Sequence, residues 1–148
     1  ILGRGGIVHP TVMGKTSWFR ENLYSSNFPR AEDRELWART ISHSGIYVMS
    51  EPLLFYREVG LGDPQKILTG YASERRIIRL YGKSLVGGLR SAELIIRSLV
   101  KSFAIGGPWG KRMLRFMEIA RSTHLSEQEA KRFGAIIQAI LASSLRSE

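Results

Sequence analysis

The run Ala31-Glu32-Asp33-Arg34-Glu35-Leu36-Trp37-Ala38-Arg39 is the stretch on which the reading of this chain turns. Glu32, Asp33 and Glu35 crowd its first turn, where the helix dipole favours anions, and Arg39 lies toward the end that favours cations. A helix over residues 32–42 is expected, with Leu36, Trp37 and Ile41 as its buried stripe and Gly45 as its stop. A short carboxylate such as Asp33, carried where a loop feeds a well-anchored helix, is suited to take a proton from an incoming group. The plainer reading makes the three acids ordinary helix-start residues.

Upstream, Ile7-Val8, His9-Pro10 and Thr11-Val12-Met13 read as a short β-prone stretch closed by Gly14. Thr16-Ser17 offers an N-cap for a short helix through Trp18, Phe19 and Leu23, and Ser25-Ser26-Asn27 with Pro29 makes a loop. Downstream, Ile46-Tyr47-Val48-Met49 reads as a strand, Glu51-Pro52 as a turn, and Leu53 to Tyr56 as another extended run. Residues 1–62 are thus expected to be α/β.

Beyond Asp63 the pattern turns helical. Asp63-Pro64 is a cap followed by proline at the first helical position. From Ser91 to Ile105, Ala92, Ile95, Ile96, Leu99 and Phe103 share one face, with Glu93, Arg97 and Lys101 on another. Residues 111–121 repeat the scheme. Ser126 and Glu129 match a capping box for a last helix, whose stripe is Phe133, Ile137, Ile140 and Leu141. Residues 63–148 are read as an amphipathic basic extension.

Charge separates the same two segments. Through Asp63 there are 7 Lys and Arg against 7 Asp and Glu; from Pro64 onward there are 15 against 6, which carries the whole net charge of +9. Such asymmetry points to an anionic membrane surface or nucleic acid as partner, against the plainer reading of a solvated basic face. No helix-turn-helix, zinc or aromatic-interleaved basic signature supports nucleic acid. The 148 residues contain no cysteine, which excludes a disulfide framework or thiolate metal site and fits a reducing compartment. The chain opens at Ile1 in mid-pattern, as expected of a piece of something longer.

Three pieces in register carry a resemblance: His9-Pro10-Thr11-Val12-Met13, the Glu32-Asp33 helix start with Leu36-Trp37-Ala38-Arg39, and Glu51-Pro52-Leu53-Leu54-Phe55-Tyr56-Arg57. In order and spacing, residues 7–57 resemble the second half of the catalytic domain of family-two glycosyltransferases, which are inverting enzymes of GT-A fold. The resemblance implies the C-terminal portion of such a domain, with few strands and without the nucleotide-binding half. It also implies transfer of a sugar with inversion from a nucleotide-diphosphate-sugar to a glycan or lipid-linked acceptor, as in bacterial surface polysaccharide synthesis. Asp33 maps onto the general base and Glu32 onto its neighbour at the acceptor.

Among substrate-binding candidates, His9 borders the acceptor or donor side, although a histidine beside proline is more often structural. Arg57 would neutralise diphosphate charge through its guanidinium fork, or else pair with Glu51 or Glu58. Trp18 would stack on a sugar ring, while Trp37 is better read as core.

The chain departs from the family where histidine often follows the Tyr-Arg pair, since Val59 stands there. It also has no Asp-x-Asp, Asp33 and Asp63 being its only aspartates. A divalent cation (Mg or Mn) is therefore expected of the full-length enzyme and none of this segment, which by itself is expected to be inactive. The resemblance further implies a cytoplasmic protein, peripheral on the inner membrane face through residues 64–148, and homo-oligomers would cover exposed apolar surface. The alternative from another class is a non-enzymatic basic helical module that binds membrane or nucleic acid.

Overall fold

The structure, a computed structural model, describes residues 2, 7–50, 54, 63–121 and 126–144. These form a 3-10 turn at His9–Thr11 and helices α1 (Thr16–Glu21), α2 (Glu32–Thr40), α3 (Pro64–Val86), α4 (Gly88–Gly106), α5 (Gly110–Arg121) and α6 (Glu127–Ser144). No strand occurs among the described residues. The expected α/β fold, a C-terminal portion of a GT-A domain, is overturned: this is a small, predominantly helical protein.

The reason is the absence of pairing. A helix satisfies its backbone from within, whereas a strand needs a neighbouring one, and β-prone side chains do not substitute for it. Ile46 to Met49 runs exposed with no ladder, Tyr47 and Val48 being 89% and 83% accessible. His9-Pro10-Thr11 closes into a tight turn instead, in which the Thr11 amide and hydroxyl both donate to the Val8 carbonyl (2.9 and 2.7 Å). The expected turn at Glu51-Pro52 and nearly all of the extended run from Leu53 to Tyr56 lie outside the described residues.

The helix starts follow local chemistry. Asp63 caps α3, accepting from the Gln65 amide at 2.9 Å with Pro64 in the first turn. At α6, Glu129 accepts from the Ser126 amide (2.9 Å) and its own amide donates back to the Ser126 hydroxyl (3.3 Å), the reciprocal capping box.

Two compact units divide the chain, Ile1–Phe116 and Met117–Glu148. In the first, α3 is the central element, with α2 and α4 packed against it. The core under α2 gathers Phe28, Ala31, Ala38 and Ile77, with Leu2, Tyr81 and Leu85 against it. Leu36 and Trp37 are buried as the stripe requires, Ile41 is half-buried, and Glu35 is buried as well. The Glu35 carboxylate accepts from Arg39 Nε at 2.9 Å and from the Tyr81 hydroxyl at 2.9 Å, and Arg39 Nη2 donates onward to the Leu23 carbonyl. One carboxylate thereby joins α2, α3 and the loop before α2.

The α3–α4 hairpin turns on Gly87 alone, at φ 84°, a left-handed conformation that suits glycine. The helices run antiparallel and close, because a Cβ on Gly82 would stand 2.6 Å from the Ser91 hydroxyl. Further along, Arg75 Nη1 donates to the hydroxyls of Ser98 (3.1 Å) and Ser102 (2.8 Å). The face of α4 turned inward is Ser91, Leu94, Ser98 and Ile105. The face bearing Ala92, Ile96, Leu99 and Phe103 is exposed.

Two substitutions measure these contacts. Gly82→Ala is expected to destabilise the protein by about 1–3 kcal/mol through overpacking, against alanine's helix advantage of about 1 kcal/mol; Ser91→Ala in the same chain recovers part of the loss. Glu35→Gln is expected to cost about 2–3 kcal/mol, because it leaves Arg39 and Tyr81 without their anionic partner. Tyr81→Phe costs about 1 kcal/mol. Urea unfolding followed by helix ellipticity reads all of them, and an unchanged midpoint for Glu35→Gln would remove the carboxylate from its joining role.

Candidate active-site cleft

The first turn of α2 borders a shallow cleft, largely open to solvent and about 450 Å³ in volume, lined by His9, Tyr24, Arg30, Glu32 and Asp33. What aims that turn is the loop before it. Ser73 on α3 donates to the Pro29 carbonyl at 2.8 Å, and Arg76 donates to the Asn27 carbonyl at 3.1 Å while lying 5.1 Å over the Phe28 ring. Phe28 and Ala31 are buried beneath. Between them the chain reverses through Arg30 at φ 66°, a left-handed conformation uncommon outside glycine and asparagine. The Arg30 amide is compensated, donating to Glu32 Oε1 at 3.1 Å. Arg34 reaches Glu74 of α3 at 2.9 Å, a second tie across the start of α2.

Glu32 and Asp33 are both half-buried. Asp33 Oδ1 accepts the Arg34 amide at 2.7 Å, which leaves Oδ2 for a group entering the cleft. Across from it, the Tyr24 hydroxyl and His9 Nδ1 lie 3.0 Å apart with their rings edge to face, a bond whose donor changes with the imidazole tautomer. Partial burial first, and the negative charge of Asp33 second, hold the Tyr24 phenol above the ordinary tyrosine range. Tyr24 therefore stays protonated at neutral pH and serves the cleft as a hydroxyl, not a phenolate.

Three of the five residues named from the sequence, His9, Glu32 and Asp33, come together in this cleft. Trp18 does not. Its indole stacks on Trp37 with centroids 6.1 Å apart and planes 16° off parallel, and its Nε1 donates to the Ser44 hydroxyl at 3.0 Å. That side chain builds the α1–α2 packing. Arg57 lies outside the described residues, as does Val59. Tyr24 and Arg30 were not foreseen: a tyrosine in a loop carries no motif, and nothing in the sequence marks an arginine for left-handed backbone. The indole nitrogen of buried Trp37 has no hydrogen-bond partner among the described residues.

Among the described residues no group of three or more His, Asp or Glu side chains is placed to hold a metal ion. No helix among them is long and apolar enough to cross a membrane. Compared with protein-family models, with curated proteins and with solved structures, the chain matches none.

The Tyr24–Asp33 proximity has a titration signature. Because the folded-state value is raised, the associated stability is complete below the ordinary tyrosine range and is lost as pH climbs through the higher folded value. Asp33→Asn removes the second cause and leaves the first. In base titrations of phenolate absorbance, with Tyr24→Phe identifying the signal, the Tyr24 midpoint should fall in Asp33→Asn yet stay above the ordinary value. An unmoved midpoint would mean that Asp33 does not face the phenol.

Proposed function

We propose that the cleft is the acceptor side of an inverting sugar transferase, with Asp33 as general base and Glu32 contacting or orienting the acceptor. One observation carries the reading: His9, Glu32 and Asp33, three of the five residues chosen from sequence motifs, border one open cleft although a helix and a loop lie between the first and the other two. The reading leans on that side-chain arrangement and on the motif resemblance; it makes no use of an α/β scaffold.

In this mechanism the acceptor hydroxyl oxygen attacks the anomeric carbon of a nucleotide-diphosphate-sugar while its proton passes to Asp33 Oδ2. The bond from that carbon to the diphosphate oxygen breaks, its electron pair leaves with the diphosphate, and configuration inverts. A positioned carboxylate is competent for such proton removal, and the Arg34 amide on Oδ1 orients it. The acceptor is a glycan or a lipid-linked acceptor of bacterial surface polysaccharide synthesis. The compartment is the cytoplasm, which the absence of cysteine supports.

The test uses the full-length protein as encoded. Asp33→Asn should lower kcat for sugar transfer by about 10²–10⁴-fold, the usual contribution of general acid–base catalysis, with donor binding little changed. Release of nucleoside diphosphate in the presence of acceptor is the readout. Turnover retained in Asp33→Asn removes the assignment.

A further inference from the structure

Helix α4 turns its most apolar face away from the protein. Leu89, Ile96, Leu99, Val100 and Phe103 fall on one side of the helix and are all exposed, Phe103 to 86% and Leu89 to 92%. The stripe runs about four turns, or roughly 20 Å. On the opposite side Ser91, Leu94, Ser98 and Ile105 are turned inward, and the Ser98 and Ser102 hydroxyls accept from Arg75 of α3. Exposed apolar surface of this extent, on one regular element, marks an interaction site.

Charge selects the partner. Beside the stripe run Arg90, Glu93, Arg97 and Lys101. The single acid there is already engaged by Arg90 and by Arg97 Nη2 (2.7 Å), which leaves Lys101 without a carboxylate among the described residues. In the following segment Trp109 is 67% exposed with the Arg112 guanidinium 6.0 Å from its ring, and Lys111 and Arg115 are exposed beside it. A second copy seated through its own α4 would bring Arg97 and Lys101 against the same two cations. An anionic lipid surface would bring the opposite charge, an apolar layer for the stripe, and the headgroup zone in which tryptophan is favoured.

The geometry points to docking of α4 on an anionic phospholipid bilayer, the helix lying in the headgroup plane with Leu89, Ile96, Leu99, Val100 and Phe103 in the acyl boundary. Arg97 and Lys101 then meet lipid phosphates. Docking of this kind is independent of whether Asp33 carries a transfer reaction.

The experiment is co-sedimentation of the 148-residue chain with vesicles of phosphatidylglycerol and phosphatidylcholine, or of phosphatidylcholine alone, at low and high salt. Wild type is expected to partition at least about tenfold better onto the anionic vesicles, with part of the binding surviving high salt. The double variant Ile96→Ser/Phe103→Ser is expected to lose about tenfold or more of that binding, as removal of two inserted apolar side chains requires. Tyr47→Ser/Val48→Ser, which removes exposed apolar groups elsewhere, should bind as wild type. Both variants alter exposed side chains, and unchanged helix ellipticity verifies their fold; if Ile96→Ser/Phe103→Ser loses helix, Leu99→Ser takes its place. Three results overturn the proposal: no preference for anionic vesicles, binding that the α4 variant leaves intact, or a wild-type dimer in lipid-free ultracentrifugation that the α4 variant dissociates.

Discussion

The carboxylate of Glu35 is the point through which the candidate cleft is held. Burying a charge is costly unless donors replace its water. Here the Arg39 guanidinium and the Tyr81 hydroxyl replace it. The first donor belongs to α2 itself and the second to α3, so the Glu35 carboxylate has both donors only when the two helices stand in their observed relation. Arg39 then passes the constraint on to the Leu23 carbonyl, next to Tyr24 of the cleft. Burial is the main reason, and the bond to Glu35 the next, that the Tyr81 phenol is held above its ordinary range. An apolar trio could fill the same space at no greater cost, but it would not fix the rotation of α2, on which the direction of Asp33 depends.

α3 works as a rack with two sides of different chemistry. One side carries Ser73, Arg76, Ile77 and Tyr81, which fasten the loop at Asn27 and Pro29, the Phe28 ring and the Glu35 carboxylate. These spacings of three and four residues are those at which a helix keeps side chains on one face. The left-handed Arg30 is tolerable because its neighbours are tied on both sides; the cost of such a conformation, of order 1–3 kcal/mol, persists only where surrounding contacts over-determine it. Its consequence is a sharp entry into α2 that leaves Glu32 and Asp33 at the mouth of the helix.

How much of this was legible in the sequence differs by element. Asp63-Pro64 and the Ser126–Glu129 pair are local chemistry, and they start helices where the sequence places them. Ile46 to Met49 was misread as a strand because alternation and β-branching describe a side-chain surface, while strand formation depends on a partner elsewhere in the chain. In the cleft, the acids of α2 and His9 could be named because their motifs are local. Tyr24 enters only through the folded path of the chain, and Glu35, which reads as one more helix-start acid, is buried because Tyr81 reaches it from α3. Periodicity set an apolar face of α4 against a charged one, whereas the face turned inward is a third, Ser91, Leu94, Ser98 and Ile105.

That orientation of α4 follows from volume and polarity together. Gly82 and Ser91 bring the helix axes close, and the space between them has room only for small side chains. Rotating α4 by half a turn would bury Leu99 and Phe103, at a gain of about 1.5–3 kcal/mol for each fully buried side chain. The same rotation would carry Leu89, two residues from Ser91, toward the close contact at Gly82 and force the helices apart there. It would also remove Ser98 and Ser102 from the Arg75 guanidinium, leaving a half-buried cation without its acceptors. The contacts of Gly82 with Ser91 and of Arg75 with Ser98 and Ser102, with Leu94 and Ile105 buried on the same side, therefore fix which face of α4 is turned inward, and the stripe of Ile96, Leu99 and Phe103 is left outward. Its exposure is a property of how α3 is built.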